Sequence, residues 1–149
     1  MSFTSHVLLM LALGSGPLAA QTSPPRSAQE LWDDYVELGT AFDPALADLY
    51  ADDAVIHLTR RYPDGRTRTL EMRGNEYQSL IRQAMPIARS RGDVDVYSDV
   101  QFEDLSDRTR ITAMRYGTLK KYQAPHELIV ANRGAAGWKI LEESGESRP

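Results

Sequence analysis

The sequence predicts an α+β domain in which three helices of the N-terminal half cover a cone-shaped, curved antiparallel sheet. Two observations carry this prediction. Apolar residues recur at helical spacing from residue 31 onwards, whereas the last third of the chain alternates apolar and polar residues as strands do. A strongly bent sheet cannot bury its concave face against itself, so the helices have to cover it. The length of 149 residues fits a single domain.

Residues 1–20 have the features of a secretory signal peptide. A short apolar run, residues 7–13, is followed by Gly and Pro, and the small residues before Gln21 suit cleavage there. No Lys or Arg precedes the run, so a disordered or wrongly assigned N-terminus is the alternative. Because the run is too short to span a bilayer, we expect a mature protein without a membrane anchor that is periplasmic or secreted.

Composition excludes several classes of function. The formal net charge is -4, and no basic tract of the kind that follows phosphates is present, so nucleic acid is not an expected partner. The sequence contains no cysteine, which excludes disulfides, a thiol nucleophile and cysteine-ligated zinc. Hydrophobic residues make up 42% of the chain, enough for one core that folds without disulfides.

The first helix is predicted from a capping box. Ser27 and Glu30 can satisfy the free N–H groups at a helix start, and helical periodicity continues to about Thr40. Residues 21–26, which contain two prolines, are expected to form a flexible leader before it. The apolar stripe of this helix consists of Leu31, Trp32, Tyr35, Val36, Leu38 and Phe42.

Two further helices are predicted from their boundary residues. Asp43 can cap a second, short helix that begins at Pro44. Gly74 opens a third helix and Gly92 ends it. Pro86 lies inside the third helix and predicts a kink or a break there. The apolar positions of the third helix are Tyr77, Leu80, Ile81, Ala84, Met85 and Ala88.

Six strands complete the predicted fold. Two flank a Pro-Asp-Gly turn before the third helix, and the others follow that helix. The predicted strands are residues 55–62, 66–72, 94–103, 110–122, 126–132 and 138–142. In the third strand Val96 is expected to face the core and Tyr97 the solvent. The fourth strand is too long to lie flat, so a bulge or bend is expected near Gly117. The domain is taken as residues 27–143, with a frayed tail over residues 144–149.

Three short segments mark boundaries in this order of elements. They are Tyr50-Ala51-Asp52-Asp53-Ala54-Val55, Arg73-Gly74-Asn75-Glu76 and Gly137-Trp138-Lys139-Ile140. Together with the element order, they resemble the nuclear transport factor 2-like superfamily, which includes SnoaL-like proteins and ketosteroid isomerase. The resemblance covers nearly the whole mature chain and implies a cone with a pocket at its open end. It implies no reaction, because family members range from enzymes to binding and interaction modules.

The resemblance to ketosteroid isomerase directs attention to three positions. Tyr35 lies where the family carries a tyrosine on the first helix, with its hydroxyl pointing into the cone. Leu58 lies where the isomerase carries its catalytic base, and a leucine cannot accept a proton, so the isomerase reaction is not transferred to this chain. Glu127 lies near the position of the family's acid on a late strand, where an apolar pocket could keep a carboxyl group neutral; a solvated glutamate is the alternative.

The remaining candidates are two histidines and one arginine. His57 neighbours Leu58, so it faces the outer surface of the sheet if Leu58 faces the pocket. His57 and Glu127 remain candidate bases, and no catalytic residue is assigned. His57 and His126 are far apart without metal-ligand spacing, so no metal or cofactor is assigned. Arg115 is interpreted either as an inward hook for a ligand carboxylate or as an outward partner of an acid such as Glu103.

Three functions therefore stay open on the sequence alone. The first is an exported SnoaL-like protein that binds a small apolar or amphipathic molecule through Tyr35, His57, Arg115, His126 and Glu127. The second is an isomerase or dehydratase-like lyase that uses a pocket His or Glu as base. The third is an interaction module that forms a homodimer through the exposed sheet face.

Overall fold

The computed structural model describes residues 23–149. The predicted signal peptide and its cleavage site lie outside the described residues. Helix α1 spans Ala28–Thr40, helix α2 spans Gly74–Arg91, and short 3₁₀ helices span Pro44–Leu49 and Gly134–Ala136. The strands are β1 (Tyr50–Arg61), β2 (Thr67–Arg73), β3 (Asp95–Asp104), β4 (Thr109–Gly117), β5 (Tyr122–Asn132) and β6 (Trp138–Ser147). Within residues 23–149, no helix combines the length and apolar character needed to cross a membrane.

The six strands form one curved, unclosed sheet in the order β2-β1-β6-β5-β4-β3. Helices cover one face of it, so the predicted α+β cone is confirmed. The sheet is mixed rather than wholly antiparallel, because β6 inserts between β1 and β5 and runs parallel to β1. Strand periodicity in a sequence shows which face of a strand is buried, but it does not show which strand lies beside it.

The predicted starts of the first two helices are confirmed by their hydrogen bonds. The Ser27 hydroxyl accepts a hydrogen bond from the N–H of Glu30 at 3.0 Å. The Glu30 carboxylate accepts from the N–H of Arg26 at 2.7 Å, one residue before the position that a capping box would use. The Asp43 carboxylate accepts from the N–H of Ala45 at 2.8 Å and so caps the first 3₁₀ helix.

Helix α2 runs without interruption from Gly74 to Arg91, so the break predicted at Pro86 is absent. Pro86 removes the hydrogen bond to the carbonyl of Arg82. Both residues are exposed, so water can satisfy that carbonyl. Gly92 ends the helix in a left-handed conformation with φ of 62°, as its predicted role requires.

The chain between β4 and β5 differs from the prediction of one long strand. Strand β4 ends at Gly117, a turn follows, and β5 begins at Tyr122. Lys121 has a positive φ of 52° in this turn. Gly117 and Tyr122 are paired across the turn, so the two strands form a hairpin. The predicted bend near Gly117 is therefore a full reversal of the chain.

Both ends of the domain are more ordered than predicted. The carbonyl of Pro25 in the leader accepts a hydrogen bond from the N–H of Trp138 at 2.9 Å, and Pro25 is buried. Strand β6 continues through Ser147, so residues 144–147 are part of the sheet and not of a frayed tail. These residues pair with β1 on one side and, as far as Gly145, with β5 on the other.

The core lies between the helices and the helix-facing side of the sheet. Its fully buried aliphatic side chains are Leu31, Ile56, Ile111, Leu128, Val130 and Ile140. A cavity lies beside this core, between α1, α2 and the sheet.

Candidate functional site

A cavity of about 340 Å³ opens between the two long helices and the concave face of the sheet. One wall is the apolar face of α2, formed by Tyr77, Leu80, Ile81, Ala84, Met85 and Ala88. The opposite wall and floor are polar and include Tyr35, Tyr50, Asp95, Tyr97, Arg115 and Glu143. Leu80 is 47% exposed at the edge of the apolar wall. Val36 and Leu46 add apolar surface from α1 and the first 3₁₀ helix, and the Tyr77 hydroxyl reaches Glu143. The cavity is therefore amphipathic, with most of its apolar lining residues on α2.

Glu143 is the buried acid of the cavity floor, with only 3% of its surface exposed. The hydroxyl of Tyr50 donates a hydrogen bond to its Oε2, and the hydroxyl of Tyr77 lies 3.5 Å from its Oε1. Burial raises the pKa of Glu143 to about 7, although these hydrogen bonds and the charge of Arg115 oppose the shift. The carboxyl group can thus take up or release a proton near neutral pH.

Tyr35, Tyr97 and His126 form a second polar group beside Glu143. The Tyr35 hydroxyl lies 2.9 Å from Nε2 of His126. The Tyr97 hydroxyl donates a hydrogen bond to the Tyr35 hydroxyl at 3.4 Å. Burial, together with the charge of Arg115, lowers the pKa of His126 to about 3, so the imidazole is neutral. Its Nε2 lies 3.9 Å from Oε1 of Glu143, too far for a hydrogen bond.

The tautomer of His126 determines whether the Tyr35 hydroxyl can donate a hydrogen bond to a ligand. Nδ1 of His126 is buried and has no hydrogen-bond partner within residues 23–149. An acceptor without a partner is tolerated more readily than a buried N–H without one, so the proton belongs on Nε2. With that tautomer Nε2 donates to the Tyr35 oxygen, as Tyr97 does, which leaves the hydroxyl proton of Tyr35 available for a ligand. The predicted pocket role of Tyr35 agrees with this geometry.

Arg115 lines the cavity, which agrees with the interpretation that its side chain points into the cone. Its side chain is 24% exposed. One terminal nitrogen donates to the carbonyl of Glu146 at 2.6 Å, and the other lies 3.7 Å from a carboxylate oxygen of Asp95. The outward position belongs instead to Arg110, whose guanidinium binds Glu103 at 2.7 Å.

His57 and Glu127 are not among the residues that line the cone cavity, where they were offered as ligand-binding candidates. His57 has the outward position expected if Leu58 faces the pocket, and Glu127 fits the alternative of a solvated glutamate. Both line a groove on the opposite face of the sheet. Nδ1 of His57 lies 3.5 Å from the carboxylate of Glu71, and the Glu127 carboxylate lies 3.6 Å from Arg110. Neighbouring residues of a strand face opposite sides, and Leu58 packs against the core.

Glu143 and Tyr97 are site residues that the sequence did not reveal. Glu143 was placed just beyond the strand predicted to end at residue 142. Tyr97 was expected to face solvent and Val96 the core, but Val96 is 52% exposed and Tyr97 lines the cavity. The tyrosines themselves were the available signal, because an aromatic hydroxyl suits a surface that is partly apolar and partly polar.

The described residues do not form an evident metal site. Within residues 23–149, no group of three or more His, Cys, Asp or Glu residues is arranged to hold a metal ion.

Comparison with known proteins identifies the fold. No protein-family model matches the chain, and no curated protein sequence matches it significantly. A nuclear transport factor 2-like protein of unknown function from Pseudomonas putida KT2440 aligns with a TM-score of 0.59 and 11% identity, covering 78% of this chain and 80% of its own. A nuclear transport factor 2-like protein of unknown function from Shewanella oneidensis MR-1 aligns with a TM-score of 0.56 and 14% identity. The alignment covers 80% of this chain and 95% of the Shewanella chain.

A third solved structure comes from a candidate ketosteroid isomerase of Shewanella frigidimarina NCIMB 400. It aligns with a TM-score of 0.53 and 16% identity, covering 76% of this chain and 89% of its own. The chain therefore has the nuclear transport factor 2-like fold, and the resemblance seen in the sequence is confirmed at the level of the fold. At these identities the comparisons establish shape alone.

Proposed function

We propose that this protein binds a small amphipathic molecule in the cone cavity. The observation that carries the proposal is the division of the cavity into an apolar wall on α2 and a polar floor around Tyr35 and Glu143. Ligand sites are mostly apolar concavities with a few converging polar groups, and roughly 300–1,000 Å³ is their usual volume. The apolar body of the ligand lies against α2, and an oxygen atom accepts a hydrogen bond from Tyr35. Residues 1–20 direct this activity to the periplasm or the exterior.

The test uses 2-naphthamide, which has a flat apolar body and one carbonyl group. We expect saturable binding by fluorescence titration. Ala84→Trp should weaken binding strongly, because Ala84 lines the cavity from an exposed position on α2 and a tryptophan there covers the cavity opening. Gln83→Trp is the matched control: Gln83 is the preceding, exposed residue of α2 and does not line the cavity. Binding of unchanged affinity in Ala84→Trp would contradict the proposal.

A second candidate function is proton transfer on the bound molecule, as in an isomerase or a dehydratase-like lyase. The observation that favours it is Glu143, a cavity carboxyl group with a pKa of about 7. Glu143 takes the role that the sequence had offered to His57 or Glu127.

This second candidate is tested by hydrogen exchange. 2-Tetralone carries protons next to a carbonyl group, and their replacement by deuterium in D₂O is followed by NMR. The parent protein should accelerate the exchange, and Glu143→Gln should lose that acceleration while still binding 2-naphthamide. Equal exchange rates with the parent and the variant would leave simple binding as the function.

A further inference from the structure

We infer that the molecule bound in the cone cavity is an amphipathic carboxylate and that Arg115 binds its anionic group. This inference rests on the proposed binding function and names the chemical class of the ligand. It starts from the contacts of the Arg115 side chain.

Arg115 has more hydrogen-bonding capacity than its neighbours use. A guanidinium carries five N–H donors. Within residues 23–149, the structure shows one hydrogen bond from this side chain, to the carbonyl of Glu146, and one looser contact at 3.7 Å, to Asp95. The side chain is three-quarters buried, so water cannot freely satisfy the remaining donors. A carboxylate matches the planar fork of a guanidinium with two parallel hydrogen bonds.

The position of Arg115 also suits the polar end of an amphipathic molecule. Among the described residues that line the cone cavity, Arg115 is the single cation. A smaller cavity of about 190 Å³ adjoins it and shares Asp93, Asp95 and Arg115. Lys120 and Arg148 line that smaller cavity and add positive charge. Arg115 lies at the boundary of the two cavities together with Asp93 and Asp95, so an anionic group can bind it there while the body of the ligand reaches the apolar wall.

The carboxylate of Asp95 competes with an anionic ligand for Arg115. Its carboxylate lies beyond hydrogen-bond distance from Arg115. Burial raises the pKa of Asp95, against the lowering effect of Arg115, so the ionised form is poorly solvated. A ligand carboxylate that reaches Arg115 has to overcome the repulsion of Asp95. Removing that charge should therefore strengthen the binding of an anion, which a purely structural ion pair would not predict.

The experiment compares two probes of the same shape, 2-naphthoate and 2-naphthamide, by calorimetric titration at pH 6. The first is anionic and the second neutral at that pH. We expect the parent protein to bind 2-naphthoate more tightly. Arg115→Gln should weaken 2-naphthoate by about tenfold or more, the usual effect of a charge-assisted hydrogen bond, and change 2-naphthamide little. Asp95→Asn should strengthen 2-naphthoate. Arg110→Gln, the same change on the opposite face of β4, should leave both affinities unchanged.

The possible results separate this inference from the proposed function. If 2-naphthamide binds but 2-naphthoate binds no more tightly, or if Arg115→Gln leaves 2-naphthoate unchanged, the carboxylate assignment is overturned and the proposed function stands. If neither probe binds the parent protein, both fail. If Arg115→Gln does not fold, Asp95→Asn decides: tighter binding of 2-naphthoate supports the inference, and unchanged or weaker binding overturns it.

Discussion

The most consequential side chain is Glu143, a buried acid whose hydrogen-bond donors within residues 23–149 are tyrosine hydroxyls and not cations. Two tyrosine hydroxyls stabilise it, and a neutral histidine lies close by. Burial of an ionised carboxyl group is costly, so the group favours its protonated form. Burial also favours the neutral form of His126, but the neutral form of a histidine is the deprotonated one. Burial therefore lowers the pKa of His126, whereas it raises that of Glu143. The two residues therefore make opposite contributions to the pH dependence of stability.

The signs of these contributions define a prediction for Glu143→Gln. The folded-state pKa of Glu143 is raised from 4.5 to about 7, so its stabilising contribution is complete below 4.5 and is lost as pH rises to about 7. The folded-state pKa of His126 is lowered from 6.5 to about 3, so its contribution is present above 6.5 and is lost as pH falls. Between 4.5 and 6.5 the two effects oppose each other in the parent protein. In Glu143→Gln, only the contribution of His126 remains, so stability is lost as the pH falls.

Urea unfolding at about pH 4.5, 5.5 and 6.5 measures this difference. The unfolding free energy of Glu143→Gln should fall more steeply on acidification than that of the parent. Glu142→Gln is the matched control, because Glu142 is the adjacent residue and is exposed. It should follow the parent. If the curve of Glu143→Gln ran parallel to the parent's, Glu143 would not be protonated in the folded state near neutral pH.

Residue by residue, the sequence predicts the helical part of the site better than the part on strands. The inward positions of Tyr35 and of the α2 wall follow from helical spacing, and the pocket role of Tyr35 was implied by the resemblance to the family. The inward position of Glu143 does not follow from spacing, because the pairing register of β5 with β6 shifts at Leu141: Val130 pairs with Ile140 and Ile129 with Glu142. This bulge turns Glu143, rather than Glu142, to the face of Ile140. A regular alternation from Ile140 would have placed Glu142 inside, and the sequence carries no signal of the extra residue.

At the scale of elements, the junction between α2 and β1 depends on a close approach at Gly74. A Cβ atom at this position would lie 1.9 Å from the carbonyl oxygen of Ala51 and 2.9 Å from Cβ of Ala54. Both are parts of β1 that cannot move aside as a flexible side-chain end could. The glycine therefore allows the start of α2 to pack directly on the strand, which sets the position of the apolar wall.

Gly74→Ala should accordingly destabilise the protein by about 3 kcal/mol or more, at the upper end of the cost of overpacking. Gly39→Ala is the matched control, because Gly39 lies inside α1 and a Cβ there would meet nothing within 4 Å. This substitution should be neutral or stabilise the protein by up to about 1 kcal/mol. Chemical denaturation of both variants measures the difference. Equal stabilities would mean that α2 can shift away from β1 at little cost.

The element boundaries also show what local sequence signals determine. Ser27, Asp43 and Gly92 act within a few residues of themselves, and their predicted roles are confirmed. The hairpin between β4 and β5 was missed, because the polar residues after Gly117 contain neither Pro nor a further Gly to mark a turn. The final residues of β6 are held by β1 and, as far as Gly145, also by β5, which are contacts between segments far apart along the chain.

At the scale of the whole molecule, export of the mature domain stays a prediction, based on the apolar run and the small residues before Gln21. When the full-length gene is expressed in a bacterium with a periplasm, N-terminal sequencing of the periplasmic or secreted protein should begin near Gln21. A variant with two lysines in place of Leu9 and Leu11 should remain in the cytoplasm with its full length, because the apolar run is interrupted. Intact Met1 on soluble cytoplasmic parent protein would contradict the prediction.

The homodimer through the sheet also stays a prediction. The groove on the outer face of the sheet contains several polar side chains, among them His57, Thr112, Glu127 and Ser144. The residues that line the cavity on the other face come from a single chain.

The parallel pairing of β1 with β6 has a consequence for the order of folding. Strand β6 lies between β1 and β5 in the sheet but follows all other strands along the chain. Until it is in place, the sheet consists of two separate pieces, the β1–β2 hairpin and the β3–β5 meander. Contacts between such distant segments form late and slow the folding reaction. A chain emerging from the ribosome or a translocation pore therefore cannot complete its cone before the last strand is released.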